Sequence, residues 1–424
     1  MYQTIAEQAF YRLLATTLLF LAGAGSACAD SLSINEAEQL ALKDDYTLRA
    51  INARSLSMAE LSVATEKLPD PKLKLGFANL PTDSFNLGRE PMTQTIVGVQ
   101  QRFPRGQTRA LSSNRLLESA ARSNAQAQDR MQKIKLEVRQ EYARIYLHQE
   151  RQRILKRSKI VFADLTEITR DYYATGRAQQ QDVVQSQLEM SKVEERLSRI
   201  QQQEEEARAR LAEKVGAAAY LELDPLWPVI AEPLAASRII ENLNDHPRLR
   251  AWQHEIAKSR TSEEIARQAY KPGFAVDLAY GGRGGQNTDG SDRTDFLSVF
   301  VTMDVPLFTK NRQDRVLASS IAETSATQFA RDDIYRSMKA GIAEGSASLA
   351  RQRERLALYR DNLLPQASFN AEASFEAYQD AVDDLTTLMR ARIGEYELKL
   401  DHASLRADEI ITRARLLYLQ GESS

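Results

Sequence analysis

The sequence predicts a mainly α-helical, elongated chain with a small β part, built from two related halves. Three observations predict it. Residues 108–172 contain neither Gly nor Pro, and about 65 helical residues at 1.5 Å rise extend roughly 100 Å, more than a compact globule houses. Four short stretches, two per half, read as strands, and those of the second half alternate in side-chain type with a period of two. Landmarks in the first half recur in the same order about 200 residues later.

Composition narrows the function classes. Lys plus Arg is 56 and Asp plus Glu is 58, a net charge of −2, without the basic excess of a nucleic-acid binder. The single Cys, Cys28, excludes an internal disulfide and a thiolate metal cluster. His148, His246, His254 and His402 lie far apart, so no paired-His helical metal site can be read. No phosphate-binding loop and no nucleophile–base constellation is present, which argues against an enzyme and calls for no cofactor.

From the N-terminus, residues 13–25 form an apolar run of signal-peptide length, followed by Ala27-Cys28-Ala29. Residues 1–29 therefore read as an export signal, with Asp30 opening the mature chain. Lipidation of Cys28 is the rival reading, disfavoured because Gly25 stands where a lipobox wants a large aliphatic residue. After residue 30 no 18 consecutive apolar residues occur, so any membrane crossing has to use β-strands.

Residues 30–215 form the first repeat, 216–235 a proline-bearing connector and 236–424 the second repeat. Leu48-Arg49-Ala50 returns as Leu249-Arg250-Ala251 and Pro71 as Pro272, both at an offset of 201. Pro104 returns as Pro306 at 202, and Tyr173 as Tyr378 at 205. Each half reads helix, strand, loop, strand, long helical hairpin. In the first, 34–67 is helical, 72–79 a strand with Leu73, Leu75 and Phe77 on one face, 81–90 a loop and 93–103 a strand. In the second, Phe274, Val276, Leu278 and Tyr280 alternate with Ala275, Asp277 and Ala279, and Leu297, Val299, Val301, Met303 and Val305 with Ser298, Phe300, Thr302 and Asp304. Such alternation suits a transmembrane strand and equally a half-buried soluble hairpin.

In the long helices, Val161, Leu165, Ile168 and Tyr172 follow a 4-3-4 spacing. Met190, Val193, Leu197, Ile200, Ala207 and Leu211 continue a coiled-coil seam that Glu204 interrupts. Pro365, inside a helical pattern, is expected to kink or break it. Trp227 and Trp252 read as core or interface residues. Gly281-Gly282-Arg283-Gly284-Gly285, between strands, reads as a loop. Four strands cannot close a barrel, and open edges cannot sit in lipid, so the strands call for partners from other copies.

Several motifs together resemble the TolC-type outer membrane factors. Leu363-Leu364-Pro365-Gln366-Ala367, with Ser368-Phe369 and Ala377-Tyr378, is similar to the family's LLPQA segment. Tyr173, Gly176 and Asp182 resemble its hairpin-tip element, and the run 101–106, with Pro104 and Gly106, its strand-to-helix corner. Pro306-Leu307-Phe308 with Lys310-Asn311-Arg312-Gln313 resembles the corner of the heavy-metal branch, the cobalt–zinc–cadmium and copper types.

The resemblance implies a homotrimer with a 12-stranded barrel in outer-membrane lipid and a periplasmic helical barrel. It implies a passive exit duct of a tripartite efflux system, without cofactor or catalysis. Its partners would be a periplasmic adaptor (a membrane fusion protein) and an inner-membrane pump of the resistance-nodulation-division type, and its cargo metal cations. It also implies a periplasmic constriction at two hairpin tips, with Tyr173, Gly176, Asp182, Tyr378, Asp380, Asp383, Asp384 and Arg390 as candidates. The corner residues would be Pro104, Gly106, Pro306, Phe308 and Asn311. Asp380, Asp383 and Asp384 can line a pore as rings of three, or cap the returning helix. Ala381 departs from the family's frequent Gly, and Thr387 and Arg390 stand where TolC has aspartates. The alternatives are a periplasmic adaptor and an exported structural coiled coil.

Overall fold

The computed structural model describes residues 31–421. The export signal read at residues 1–29, with Cys28, lies outside the described residues. In chain order the elements are helices α1 (Ile34–Asp44) and α2 (Tyr46–Glu66), strands β1 (Lys72–Ala78) and β2 (Gln94–Phe103), and helices α3 (Thr108–Ala174) and α4 (Gln180–Val215). Then follow α5 (Ala236–Glu241), α6 (Pro247–Gln268), β3 (Gly273–Gly282), β4 (Phe296–Asp304), α7 (Gln313–Leu358), α8 (Leu364–Gln379) and α9 (Leu385–Gln420).

Two compact units divide the chain. Among the described residues, one comprises those up to Asp45, Ile134–Pro233 and Ala347–Leu416; the other comprises Tyr46–Lys133, Leu234–Ser346 and those from Leu417 to Gly421.

The helix expected over 34–67 is two helices. α1 starts with a capping box, the Ser33 hydroxyl accepting from the Glu36 N–H while the Glu36 carboxylate accepts from the Ser33 N–H. It ends where Asp45 turns extended, at ψ 107°. Adjacent Asp44 and Asp45 are poor helix formers, because short acidic side chains compete with the backbone for its hydrogen bonds.

In the first unit, Leu155, Phe162, Leu165, Val193 and Ile200 form a buried cluster with Tyr378, Leu385, Leu388, Met389 and Tyr396. Val193, Ile200 and Ala207 fall seven apart and are all buried, which is the seam of a coiled coil. Glu204, which interrupts it, is fully engaged: it accepts from Gln152 at 2.5 Å, Gln149 at 3.2 Å and Arg208 at 2.8 Å. The connector is strapped to these helices through its backbone. Leu32 bridges Leu223 in parallel, Tyr142 Oη donates to Leu32 O at 2.8 Å, and Arg208 donates to Ala219 O and Leu221 O. Trp227 is half-buried, its ring 4.6 Å from that of Tyr146 with the Arg406 guanidinium over it. Trp252, in the other unit, is half-buried on α6.

Pro365 does not break its helix. A five-residue π turn, Tyr359–Leu363, precedes it, and Pro365 occupies the first turn of α8. The wider turn moves the carbonyls that the proline ring would otherwise strike, and the Leu364 N–H donates to Tyr359 O across it.

His148 on α3 is buried, with no hydrogen-bond partner for Nδ1 among the described residues. Burial, reinforced by Arg151, Arg210 and Arg144 against the opposing Glu204, pushes its imidazole down to about 4. The fold therefore favours the neutral ring. Its contribution is complete above the ordinary value of 6.5 and declines as pH falls from there towards 4. The thermal midpoint in detergent should drop between pH 7 and pH 4.5, and His148→Leu should flatten that dependence; an unchanged slope would remove His148 as its source.

Candidate functional site

In the second unit the four strands form one antiparallel sheet in the order β1-β2-β3-β4. The register aligns Leu75, Val97, Tyr280 and Leu297 in one row and Leu73, Val99, Leu278 and Val299 in the next. Because side chains alternate, these rows share one face with Phe77, Phe103, Phe274, Val301 and Met303. Phe103 and Phe274 stack at 5.0 Å. Most of this face is exposed, an apolar area far wider than the scattered apolar residues of a water-soluble surface.

The opposite face is mainly polar, with Ile96, Phe296 and the exposed Phe300 as its large apolar side chains. Lys72, Lys74, Gln100, Arg102, Asp277, Ser298 and Thr302 project from it. Lys74 pairs with Asp277, whose second oxygen accepts from Gln100 Nε2 at 2.8 Å. β1 and β4 are the outer strands, each with one unpaired edge. Among the described residues no helix is long and apolar enough to cross a membrane.

Beyond one end of the strands, the two loops are tied together. Arg293 Nη1 donates to Gly88 O and Glu90 O, and Arg283 Nη1 to Pro91 O, all at 3.0–3.1 Å. Gly285, at φ +87°, sits so close that an added Cβ would lie 2.4 Å from Gly88 O. At the other end, Arg105 after Pro104 donates to Ala269 O and pairs with Asp304 at 3.3 Å. Gly106 follows at φ +46°, against Gln268 and Lys271, where a side chain is disfavoured.

The hairpin tips belong to the first unit and repeat each other at an offset of 205. Arg177 and Ala178 N–H both donate to Tyr172 O, and Val382 and Asp383 N–H both donate to Ala377 O. Gly176 and Ala381 occupy the equivalent left-handed position, at φ +73° and +58°. Their caps are complementary halves of one motif. At the first tip the carboxylate of Asp182, third residue of α4, reaches back to accept from the Gln179 N–H at 2.8 Å; at the second, Asp384 Oδ1 accepts from the Thr387 N–H at 2.8 Å. That Thr387 hydrogen bond holds the Asp384 carboxyl below the usual range, aided by Arg390. Asp383 Oδ1 accepts from the Asp384 N–H, and Asp380 closes α8.

No protein-family model matches the chain, and no curated protein matches it. Solved structures do. The outer-membrane channel OprN superposes with a TM-score of 0.79 at 16% identity, covering 92% of this chain and 90% of that one. The outer membrane protein VceC of Vibrio cholerae gives 0.78 at 15%, covering 92% and 96%. CusC, described for its transmembrane channel formation, gives 0.77 at 12%, covering 93% of both chains.

The chain has the TolC-like channel fold. Within that channel fold the three likenesses differ little in TM-score, so the fold does not separate a heavy-metal branch from the others. The structure brings Tyr378 against Tyr172, ring centroids 5.6 Å apart, with the Arg177 guanidinium 4.3 Å from the Tyr172 ring. Tyr173 is exposed and is not part of that contact. Arg392 pairs with Glu372 and Glu395. Sequence reading missed Tyr172 as the tip aromatic, although its place in the 4-3-4 seam carried the signal. It also missed the Lys74–Asp277 pair, which joins residues 203 apart.

Proposed function

We propose that this chain is the outer-membrane duct of a tripartite efflux system. The observation that carries this reading is the sheet with an exposed apolar face and two unpaired edges. Lipid satisfies the face, and only closure against other copies satisfies the edges. Three copies supply twelve strands, an even number within the range of outer-membrane barrels. The polar face then lines a water-filled lumen, and the helical hairpins extend into the periplasm, where an adaptor and an inner-membrane pump of the resistance-nodulation-division type complete the path. Light scattering of the detergent-solubilised protein should give the mass of a trimer; a water-soluble monomer would overturn the reading.

Metal cations are the proposed cargo, on the strength of the Pro306-Leu307-Phe308 and Lys310-Asn311-Arg312-Gln313 motif. Deleting the gene should sensitise cells to divalent transition metals, and unchanged tolerance would count against that cargo.

The tips are the proposed constriction, with Asp380 and Asp383 facing the pore while Asp384 caps α9. Asp380→Asn with Asp383→Asn keeps the acceptor oxygens but removes the charge. In planar bilayers this pair should lower cation preference while trimers still form; selectivity equal to the unsubstituted protein would place the constriction elsewhere.

A further inference from the structure

The two halves differ in one connection. Between Phe103 and Thr108 four residues link strand to helix; between Asp304 and Gln313 there are eight. Elements before this corner are offset by 201 and those after it by 205, since β1 and β3 start at Lys72 and Gly273, and α3 and α7 at Thr108 and Gln313. The whole drift between the repeats is therefore a four-residue enlargement of the second corner, residues 305–312.

The two corners also differ in chemistry. The first turns inward on the protein: Arg105 is bonded to Ala269 O and Asp304, and Gly106 lies against Gln268 and Lys271. The second projects outward. Leu307 is 73% exposed and Phe308 85%, and they follow Met303 and Val305, which are exposed too. A tight turn, Leu307 N–H to Val305 O at 3.0 Å, bends the chain there. Lys310 and Arg312 come next, both exposed, with no ion pair among the described residues. The acids nearby are already engaged: Asp304 pairs with Arg105, and Asp314 accepts from Tyr270 Oη at 2.6 Å.

We propose that this enlarged corner is a membrane-interface anchor for anionic phospholipid: Leu307 and Phe308 enter the acyl boundary while Lys310 and Arg312 hold headgroup phosphates. The proposal rests on the reading of the apolar sheet face as lipid-facing, because the corner continues that face at its helix-side end. Apolar residues followed at once by unpaired basic ones match the two layers of a bilayer surface. Acyl chains take the ring, and the long basic side chains reach to the phosphates. A basic residue at an anionic membrane surface is worth about fivefold in association, so two unopposed ones suffice to select anionic over zwitterionic lipid.

The test uses Phe308→Trp and, separately, Val299→Trp in the middle of β4. Each protein is reconstituted in brominated phosphatidylglycerol or brominated phosphatidylcholine vesicles, with the unsubstituted protein as the baseline for Trp227 and Trp252. Both introduced tryptophans should be quenched, and Phe308→Trp more strongly in phosphatidylglycerol. Adding Lys310→Gln and Arg312→Gln should bring that preference towards one while leaving the Val299→Trp signal unchanged. If Val299→Trp is quenched and Phe308→Trp is not, the corner is covered by protein, such as a second copy, and the anchor is wrong. Equal quenching of Phe308→Trp in both lipids overturns the headgroup assignment. If Val299→Trp itself escapes quenching, the lipid-facing sheet fails, and the anchor falls with it. Leu307→Trp repeats the measurement should the Phe308 variant assemble poorly.

Discussion

Val299→Arg should remove roughly 2–4 kcal/mol per chain from the membrane-inserted state, the cost of a basic side chain at mid-bilayer on a barrel's lipid face. Val299 lies centrally in β4, opposite Leu278 on the apolar face. Its neighbour Ser298 belongs to the polar face, opposite Ala279. Ser298→Arg should therefore cost under about 1 kcal/mol and act on conductance instead. Denaturant titration of protein folded into vesicles measures both. Equal costs would mean that the two faces see the same medium, which a closed barrel cannot allow.

Glu38→Ala should cost up to about 3–5 kcal/mol, because it takes a carboxylate away from a buried guanidinium. Glu38 and Arg139 join α1 to α3 through two bonds, Nε to Oε1 at 2.6 Å and Nη2 to Oε2 at 3.4 Å. Both side chains are only about a tenth exposed. Desolvation offsets much of what such a pair gains by attraction, so replacing both residues by Leu should recover most of the loss. A chemical-denaturation cycle over the two single variants and the double one separates these effects. A single-variant loss below about 1 kcal/mol would show that water reaches the pair.

Local pattern carried most of the fold. The absence of Gly and Pro from 108–172 extended to a helix ending at Ala174, and short local patterns, alternation foremost, found all four strands, because both signals arise within a few residues. What escaped was set by distance or by single dihedrals. The adjacent Asp44 and Asp45 weaken the helix locally, but the single extended dihedral that divides it at Asp45 has no pattern of its own to read. The connector has no period to read, since its hold on the helices comes from backbone carbonyls that accept from Tyr142, Arg208 and Arg413. At the tips, sequence located both turns; that Tyr378 packs on Tyr172 and not on its neighbour, about 100° round the helix, was set by packing between the hairpins. The Asp residues of the second tip were legible as a group, yet which of them caps the helix depends on where α9 begins.

The seam between β2 and β3 has a consequence for the order of folding. The Gln100–Asp277 contact across it joins residues 177 apart, whereas β1–β2 and β3–β4 are local hairpins. Closing a long loop costs entropy that only later contacts return, so the two hairpins should exist separately until the intervening α3–α4 hairpin has brought the chain back. Until then each half carries a two-stranded ribbon that is marginal by itself, and the broad apolar face has not been assembled. On the proposed role as an outer-membrane duct, a chain travelling through water would thus keep its stickiest surface in two pieces, joined late and close to where it is used.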